Sequence, residues 1–211
     1  MNNLQSTIEQ LRNLLPDLKT EERQISKILY QKLALGKSVS IETISNELQK
    51  SIQDIQDYLN QMEYVEYNVT NEISAYRGVT LRQTTHCVFH NAFKVFTWCA
   101  FDTLFLADLL DKPVKITSNC PTCNKAITIN KPDRDHKSLK ETNTVMSFII
   151  PDKVDYCEDL QSAFCCKVHF FCNGQCGSEW INLSSEIGFF NLEESIVIAE
   201  ERNRRFMGNV R

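Results

Sequence analysis

Residues 40–76 read SIETISNELQKSIQDIQDYLNQMEYVEYNVTNEISAY and decide the fold of the first part of the chain. Ser40 and Ser51 each precede a segment with apolar residues at helical spacing, and serine is a preferred N-cap residue. The sequence therefore predicts two short helices joined by a tight turn. Two β-prone runs on either side of residues 70–72 then predict a hairpin.

Two longer helices are predicted before this stretch. Apolar residues recur at a helical period over residues 3–18, where Pro16 closes the pattern. Thr20 is placed to cap a second helix, and Gly36 is placed to end it. Together with the two short helices and the hairpin, these elements predict a winged-helix-like N-terminal domain over residues 1–80.

A winged-helix shape raises the question of DNA binding. The candidate recognition helix, residues 51–63, contains Asp54, Asp57 and Glu63 but no lysine or arginine. A helix that reads DNA needs cations for phosphates and base edges. The net charge of −4 also gives the chain no overall attraction to nucleic acid or to an anionic membrane. We therefore expect a packing or dimer-forming role for this domain, with no nucleic-acid partner.

The remainder of the chain, residues 81–211, is predicted to be a mixed α/β domain with a central β-sheet, which makes the whole chain α+β. Strand-like runs occur at residues 79–89, 114–118, 125–129, 144–150 and 163–171. The apolar stretch 93–110 is interpreted as a helix because of its length and its leucine and alanine content. A last helix is predicted from about Leu192.

No membrane or export segment is expected. The N-terminal region lacks the pattern of a secretory signal, and the apolar stretch 95–110 is interrupted by Asp102 and Asp108 and is too short to cross a bilayer. The nine cysteines are an odd number in a chain of 211 residues, which needs no disulfide staples, so they indicate reduced thiols. Cys87 and Cys157 have no evident partner and are interpreted as packing residues. We expect a cytoplasmic protein, either a monomer or a homodimer.

Cys99 and Asp102 form the first candidate site. Their spacing of three residues puts both on one face of the predicted helix, so a thiol and a carboxyl can line one pocket. The apolar neighbours Trp98, Phe101 and Phe105 would desolvate the carboxyl and raise its pKa, so that it holds a proton near neutral pH. The alternative is a buried cysteine beside an aspartate that caps or bends the helix.

Cys165 and Cys166 are adjacent on a predicted strand and therefore face opposite sides. Cys166 shares its side with Phe164 and other apolar residues, which indicates a core position. Cys165 shares its side with Lys167 and His169, which makes it the better candidate for an accessible, ionisable thiol. His169 is interpreted as a hydrogen-bonded structural histidine rather than a ligand.

Four more cysteines form two motifs with metal-ligand spacing. Cys120 and Cys123 make a C-x2-C turn, and Cys172 and Cys176 make a C-x3-C motif, with 48 residues between the two motifs. Four thiolates suit tetrahedral zinc if the two strands that carry them are neighbours. A structural zinc site is one interpretation. Free or redox-active thiols and a labile soft-metal site are the others.

Four segments carry a resemblance to a known family. They are YRGVTLRQT (76–84), FTWCAFDTL (96–104), VKITSNC (114–120) and SAFCCKVHFF (162–171), the last followed by Trp180. In order and spacing they resemble the organomercurial (alkylmercury) lyases of bacterial mercury resistance. The resemblance covers roughly residues 20 to 205.

The resemblance implies an enzyme that cleaves carbon–mercury bonds by protonolysis, giving a hydrocarbon and Hg(II), without an organic cofactor. It implies that Cys99 and Cys165 are the mercury-binding thiolates. Asp102 would carry the proton and help to hold the Hg(II) product until cytosolic thiols or a mercuric reductase accept it. The family's fold is a winged-helix-like domain that does not read DNA, followed by a mixed α/β catalytic domain.

The chain departs from the family pattern in its extra thiols. The family matches Cys120 but does not generally carry Cys123, Cys172 and Cys176. The alternative is therefore a zinc-ribbon winged-helix metal-binding protein or metal sensor without lyase activity. A thiol redox protein is a third class, but its C-x2-C motif would begin a helix, whereas here β-prone residues flank the motif on both sides.

Overall fold

The structure, a computed structural model, describes residues 4–15, 17–131, 142–150, 159–181 and 187–208. Its N-terminal part contains the predicted helices α1 (Leu4–Leu14), α2 (Thr20–Leu33), α3 (Ile41–Leu48) and α4 (Ile52–Gln61). Ser40 and Ser51 cap α3 and α4 as predicted, and each hydroxyl accepts a hydrogen bond from the backbone N–H three residues later. The cap of α2 is Lys19 rather than Thr20, because the Glu22 carboxylate accepts the Lys19 N–H at 2.6 Å.

A seven-stranded antiparallel sheet runs through the molecule. Its strands are β1 (Val65–Tyr67), β2 (Ile73–Tyr76), β3 (Val79–Thr80), β4 (His86–His90), β5 (Phe93–Thr97), β6 (Val114–Asn119) and β7 (Ala126–Lys131). Their order is β1-β2-β3-β5-β4-β6-β7, so the predicted hairpin β1-β2 lies at one edge. The sheet continues across residue 80, since β3 pairs with both β2 and β5. The division into domains at residue 80 stays a prediction.

The remaining elements include a buried helix, α5. They are α5 (Ala100–Leu110), β8 (Val145–Phe148), α6 (Leu160–Ala163), a 3₁₀ turn (Cys165–Lys167), β9 (Phe170–Phe171), α7 (Gly174–Ile181), β10 (Gly188–Asn191) and α8 (Leu192–Met207). β8 pairs with both β9 and β10 in a second, three-stranded sheet. The first eight residues of α5 are all buried, as expected for a core helix that is apolar on every side, and α5 packs against β4 and α8.

Two predicted elements are divided in the structure. Residues 93–110 do not form one helix, because Phe93–Thr97 is the strand β5 and α5 begins only at Ala100. The β-branched and aromatic residues of β5 pair with β4 in a register that places Val95 opposite Val88. Residues 79–89 form β3 and β4 rather than one strand, and residues 81–85 separate them.

The predicted strand over residues 163–171 is wrong for most of its length. The end of α6 and the 3₁₀ turn occupy its first part, and only Phe170–Phe171 is a strand. The cause is local: the Lys167 N–H donates to the Phe164 carbonyl, and the Val168 N–H donates to the Cys165 carbonyl. These bonds span three residues and close 3₁₀ turns.

The mixture of helices and antiparallel strands confirms the α+β prediction. Within the described ranges, no helix is long and apolar enough to cross a membrane. Cys87 is buried on β4, in agreement with its interpretation as a packing residue. Cys157 and Pro16, the predicted end of the first helix, lie outside the described residues.

Candidate active site

Cys99 lies where β5 ends and α5 begins. It is the N-cap of α5, and its backbone N–H donates to Asp102 Oδ2 at 3.0 Å. The backbone N–H of Asp102 points back at the Cys99 sulfur, so the two residues form a capping box. The structure contains both arrangements that the sequence allowed: the aspartate caps the helix, and its carboxyl also lies beside the thiol.

Cys165 reaches the same place from a distant part of the chain. It begins the 3₁₀ turn, and the Ala100 N–H donates to the Val168 carbonyl at 3.2 Å, which ties the start of α5 to the residues just after this turn. The sulfurs of Cys99 and Cys165 and a carboxylate oxygen of Asp102 all lie within 4.8 Å of one another. The structure thus brings together the three residues that the sequence singled out, and their roles stay a prediction.

The cluster is shielded from solvent. Cys99 is fully buried, Cys165 is 4% exposed and Asp102 is 5% exposed. The aromatic rings of Phe101, Phe148 and Phe164, from elements that adjoin the two cysteines, pack edge to face at centroid distances of 5.1 to 5.9 Å. An apolar wall of this kind lowers the local dielectric and favours uncharged forms of the three groups.

The pKa values follow from this burial. Burial raises the pKa of Asp102 to about 7, although hydrogen bonds from Cys99 and the positive charge of Arg202 oppose the shift. This agrees with the sequence prediction of a desolvated carboxyl. Burial, the contact with Cys165 and the charge of Asp102 raise the pKa of Cys99 well above its ordinary range.

Cys165 differs from Cys99 in one respect. The hydrogen bond between the two thiols lowers the pKa of Cys165, while burial and the negative charges of Asp102 and other nearby groups raise it, and the net shift is upward. Cys165 is therefore the thiol that Cys99 helps to ionise. At neutral pH the site holds two protonated sulfurs beside a carboxyl that readily gains or loses a proton.

Gly78 is a site residue that the sequence analysis quoted within a motif without assigning it a role. Its φ of +98° suits glycine, and its carbonyl accepts the Trp98 N–H at 2.8 Å. A Cβ atom at this position would lie 2.5 Å from Cγ of Asp102. The glycine thus leaves the space that the carboxyl occupies. The signal in the sequence was a glycine between two β-prone runs, which marks a turn or a close approach.

Arg202, on α8, is a neighbour that the sequence did not reveal. Its guanidinium is buried, lies 3.9 Å from the centre of the Phe105 ring, and donates to the Tyr30 hydroxyl at 2.7 Å. Tyr30 in turn donates to the Arg77 carbonyl at 3.4 Å, directly before Gly78. The positive charge of Arg202 is therefore held close enough to Asp102 to lower the pKa of its carboxyl.

The prediction for Cys165 and Cys166 is wrong in its assignment of sides. Cys165 is the buried thiol, and Cys166 is exposed. Alternation with a period of two does not apply in a 3₁₀ turn, which has three residues per turn. His169 agrees with its structural interpretation, because Nε2 lies 2.9 Å from the Cys166 carbonyl and the ring packs 5.2 Å from that of Trp180.

Four of the other cysteines form a separate thiol cluster. The sulfurs of Cys120, Cys123 and Cys172 lie within 4.8 Å of one another, and those of Cys123 and Cys172 are 3.6 Å apart. Cys176, in the first turn of α7, interacts with the Cys120 and Cys123 thiols. The two motifs meet because β6 and β9 are in contact, as the spacing required. Zinc at this cluster stays a prediction.

Two buried thiols beside a carboxyl that titrates near neutrality define a class of site, one that can bind a soft metal and deliver a proton to it. The comparisons with known proteins agree with this class. The MerB family of alkylmercury lyases matches residues 79–201, more than half of the chain. The chain belongs to the alkylmercury lyase family, and it is an enzyme of the kind that cleaves carbon–mercury bonds, as the resemblance implied.

Individual relatives match over most of their length. The alkylmercury lyase of Staphylococcus epidermidis is 28% identical over 84% of this chain and 81% of its own length. That of Pseudomonas putida is 29% identical over 79% of this chain and 77% of its own length. A crystal structure of the mercury-bound form of MerB2 has the same fold, with a TM-score of 0.75 and 18% identity, over 94% of this chain and 97% of that one.

Proposed function

We propose that the chain cleaves organomercurials by protonolysis, with Cys99 and Cys165 as the mercury-binding thiolates and Asp102 as the proton carrier. The observation that carries the proposal is the grouping of two sulfurs and one carboxyl within 4.8 Å at a buried site. No organic cofactor takes part, because the thiols supply the proton and mercury is the substrate's own metal.

The first step is ligand exchange. The substrate enters as an organic group on mercury that is also bound to a small thiolate. Cys165 replaces that thiolate, since the Cys99 thiol stabilises negative charge on the Cys165 sulfur. The proton of Cys165 leaves with the displaced small thiol. Mercury is a soft metal and prefers sulfur ligands, so the exchange is favourable.

The second step moves the proton to carbon. The Asp102 carboxylate takes the proton of Cys99, and the resulting thiolate becomes the second sulfur ligand. Electron donation from two sulfurs makes the bound carbon more basic. Asp102 then delivers its proton to that carbon, and the electron pair of the carbon–mercury bond becomes the new carbon–hydrogen bond. A pKa of about 7 suits both the uptake and the release of this proton.

The products are a hydrocarbon and Hg(II) on two thiolates, with the Asp102 carboxylate beside the ion. Two external thiols, or a mercuric reductase, then accept the Hg(II) and return protons to both cysteines. Phe101 and Phe164 directly precede Asp102 and Cys165 in the chain, and the aromatic cluster that they form with Phe148 suits an alkyl or aryl substituent. Because the mechanism requires reduced thiols, we place the activity in the cytoplasm, for the chain as a monomer or a homodimer.

We also propose that residues 1–80 form a winged-helix-like domain that supports the catalytic part and does not bind DNA. Support comes from the succession of α2, α3, α4 and the hairpin β1-β2. The first turn of α4 is acidic, and its last turn carries no cation. The helix α2 packs against α8, where Tyr30 holds Arg202 behind the active site.

The test is release of benzene from phenylmercury by the purified, reduced protein with an excess of a small thiol. We expect benzene from the wild type and none from Cys99→Ser or Cys165→Ser. Cys166→Ser is the matched control, because it removes an exposed thiol directly beside Cys165 and should keep the activity. No benzene from folded wild-type protein would overturn the proposed reaction. Benzene from either serine variant of the buried thiols would overturn the role of two sulfurs.

A further inference from the structure

The thiol cluster of Cys120, Cys123, Cys172 and Cys176 takes no part in the proposed reaction. Two of its sulfurs, those of Cys123 and Cys172, are 3.6 Å apart. Sulfurs that share one tetrahedral zinc ion at a bond length of about 2.3 Å lie about 3.8 Å from each other. The Cys123 and Cys172 sulfurs therefore have the spacing of two ligands of a tetrahedral metal site, and the Cys120 sulfur lies within 4.8 Å of both.

The turn between β6 and β7 is shaped around the Cys120 sulfur. The backbone N–H groups of Thr122, Cys123 and Cys172 all donate to this sulfur. The Cys120 N–H donates to the Lys125 carbonyl at 2.9 Å and closes the turn. The turn and its N–H donors therefore hold the Cys120 sulfur in one place, within 4.8 Å of the sulfurs of Cys123 and Cys172.

Cys176 is held over this turn as the fourth member of the cluster. The Thr122 hydroxyl donates to the Cys176 carbonyl at 2.7 Å, and the Cys176 N–H donates to Oδ1 of Asn173 at 2.9 Å. The first bond joins Thr122, which lies in the turn between Cys120 and Cys123, to the start of α7. The two motifs are therefore fastened to each other by polar contacts, in addition to the sulfurs.

We propose that these four cysteines bind one zinc ion as thiolates, and that the ion fixes the segment carrying Cys165 against the main sheet. Binding releases up to four protons, one from each thiol, and leaves a zinc tetrathiolate with a charge of −2. Zinc fits four sulfurs in tetrahedral geometry and brings no redox chemistry.

The positioning effect follows from the path of the chain. Cys172 comes directly after β9, and β9 follows the 3₁₀ turn that contains Cys165. A metal on Cys120 and Cys172 joins the end of β6 to the end of β9. Val168 lies between Cys165 and β9 in the chain. Its carbonyl accepts the Ala100 N–H, and this bond places Cys165 against Cys99. Zinc therefore holds one end of the segment whose other end enters the active site.

The experiment is metal analysis of the full chain, produced without mercury and with zinc supplied. We expect one zinc ion per chain in the wild type and in the control Cys166→Ser. Cys123→Ser and Cys176→Ser should lose more than about 100-fold in zinc affinity, measured by competition with a chelator, since even an outer-shell change costs up to that factor. Cobalt added to the metal-free wild type should give the absorption spectrum of a tetrahedral cobalt thiolate.

Three results would overturn the zinc site: folded, reduced wild type that takes up no zinc, iron in place of zinc, or unchanged zinc affinity in both serine variants. The positioning effect has its own readout in amide hydrogen exchange. Removal of zinc from the wild type should speed exchange at Ala100 by about tenfold or more, while exchange in α1 stays the same. Unchanged exchange at Ala100 would overturn the positioning effect, because zinc would then stabilise only the turn that binds it. None of these measurements depends on cleavage of an organomercurial.

Discussion

The two thiol clusters of this chain use the same ligand atom in opposite surroundings. At the active site, Cys99 and Cys165 are buried beside a carboxyl, and the pKa values of both thiols are raised. In the second cluster Cys123 is exposed. Burial would raise the pKa of Cys120 there, but N–H donors from Cys123, Cys172 and Thr122 lower it to about 7. Burial and the neighbouring thiols raise the pKa values of Cys172 and Cys176.

This difference bears on the two proposals made above, in which the first site turns a metal over and the second keeps one. A sulfur that stays protonated until substrate arrives brings the proton that the carbon atom needs. Among the described residues, the second cluster groups sulfurs without a carboxylate, so a metal held there has no acid beside it. The presence of the carboxyl, rather than the number of sulfurs, therefore distinguishes the two clusters.

The largest expected effect comes from removal of the acid alone. Asp102→Asn keeps the size of the side chain and an acceptor for the Cys99 N–H, but it cannot carry a proton. We expect benzene release to fall by about 10²- to 10⁴-fold, the usual contribution of a general acid or base, while phenylmercury still binds to the Cys165 sulfur. Asp108→Asn, on the same helix but outside the cluster, is the control and should keep its turnover.

The same variant should be more stable than the wild type at high pH. Burial raises the pKa of Asp102 from 3.8 to about 7, so its stabilising contribution is complete below pH 3.8 and is lost as the pH rises through 7. At pH 8 the ionised carboxylate costs about 4 kcal/mol of unfolding free energy, and Asp102→Asn removes that cost. Urea unfolding at pH 5 and pH 8 measures it. If the variant's increase in the free energy of unfolding over the wild type is no larger at pH 8 than at pH 5, a buried, ionising Asp102 is contradicted.

A smaller effect is expected when the carboxyl is displaced rather than replaced. Gly78→Ala puts a methyl group 2.5 Å from Cγ of Asp102, so the carboxyl must move. We expect turnover to fall about 100-fold, as for a misplacement of about 1 Å. Gly174→Ala is the matched control, because no atom lies within 4 Å of its added Cβ. Equal activity of the two variants would show that the position of the carboxyl is not critical.

The smallest expected effect concerns the charge behind the site. Arg202→Met removes a positive charge that lowers the pKa of Asp102, so that pKa should rise. Because the proposed mechanism needs an ionised Asp102 to take the Cys99 proton, kcat/KM should decline below pH 7 in the wild type and from a higher pH in the variant. A shift of less than about one unit is expected, since direct contact gives one to three. Arg204→Met, which removes the arginine that pairs with Glu201, should leave the profile unchanged.

Local interactions explain what the sequence predicted correctly. Ser40 and Ser51 cap their helices through bonds that span three residues, so the signal lies within one short window. The same is true of Cys99 and Asp102, whose capping box also spans three residues. The turn at Cys120 was predictable for the same reason, because its residues lie between two strands that are adjacent in the sequence.

Contacts between distant residues explain the errors. Residues 93–97 became a strand because β3 and β4 flank them, which composition alone does not reveal. Burial of Cys165 rather than Cys166 depends on the 3₁₀ turn that packs against Ala100. Gly78 and Arg202 act on Asp102 across chain separations of 24 and 100 residues. No pattern within a short window could assign these roles.

The hydrogen bond between Ala100 and Val168 also affects how the enzyme is made. Cys99 leaves the ribosome long before Cys165, so during much of translation the chain carries one sulfur and the acid without the second sulfur. Contacts of such long sequence separation form late and slowly. Only a completed and folded chain therefore presents both sulfurs and the carboxyl at one site.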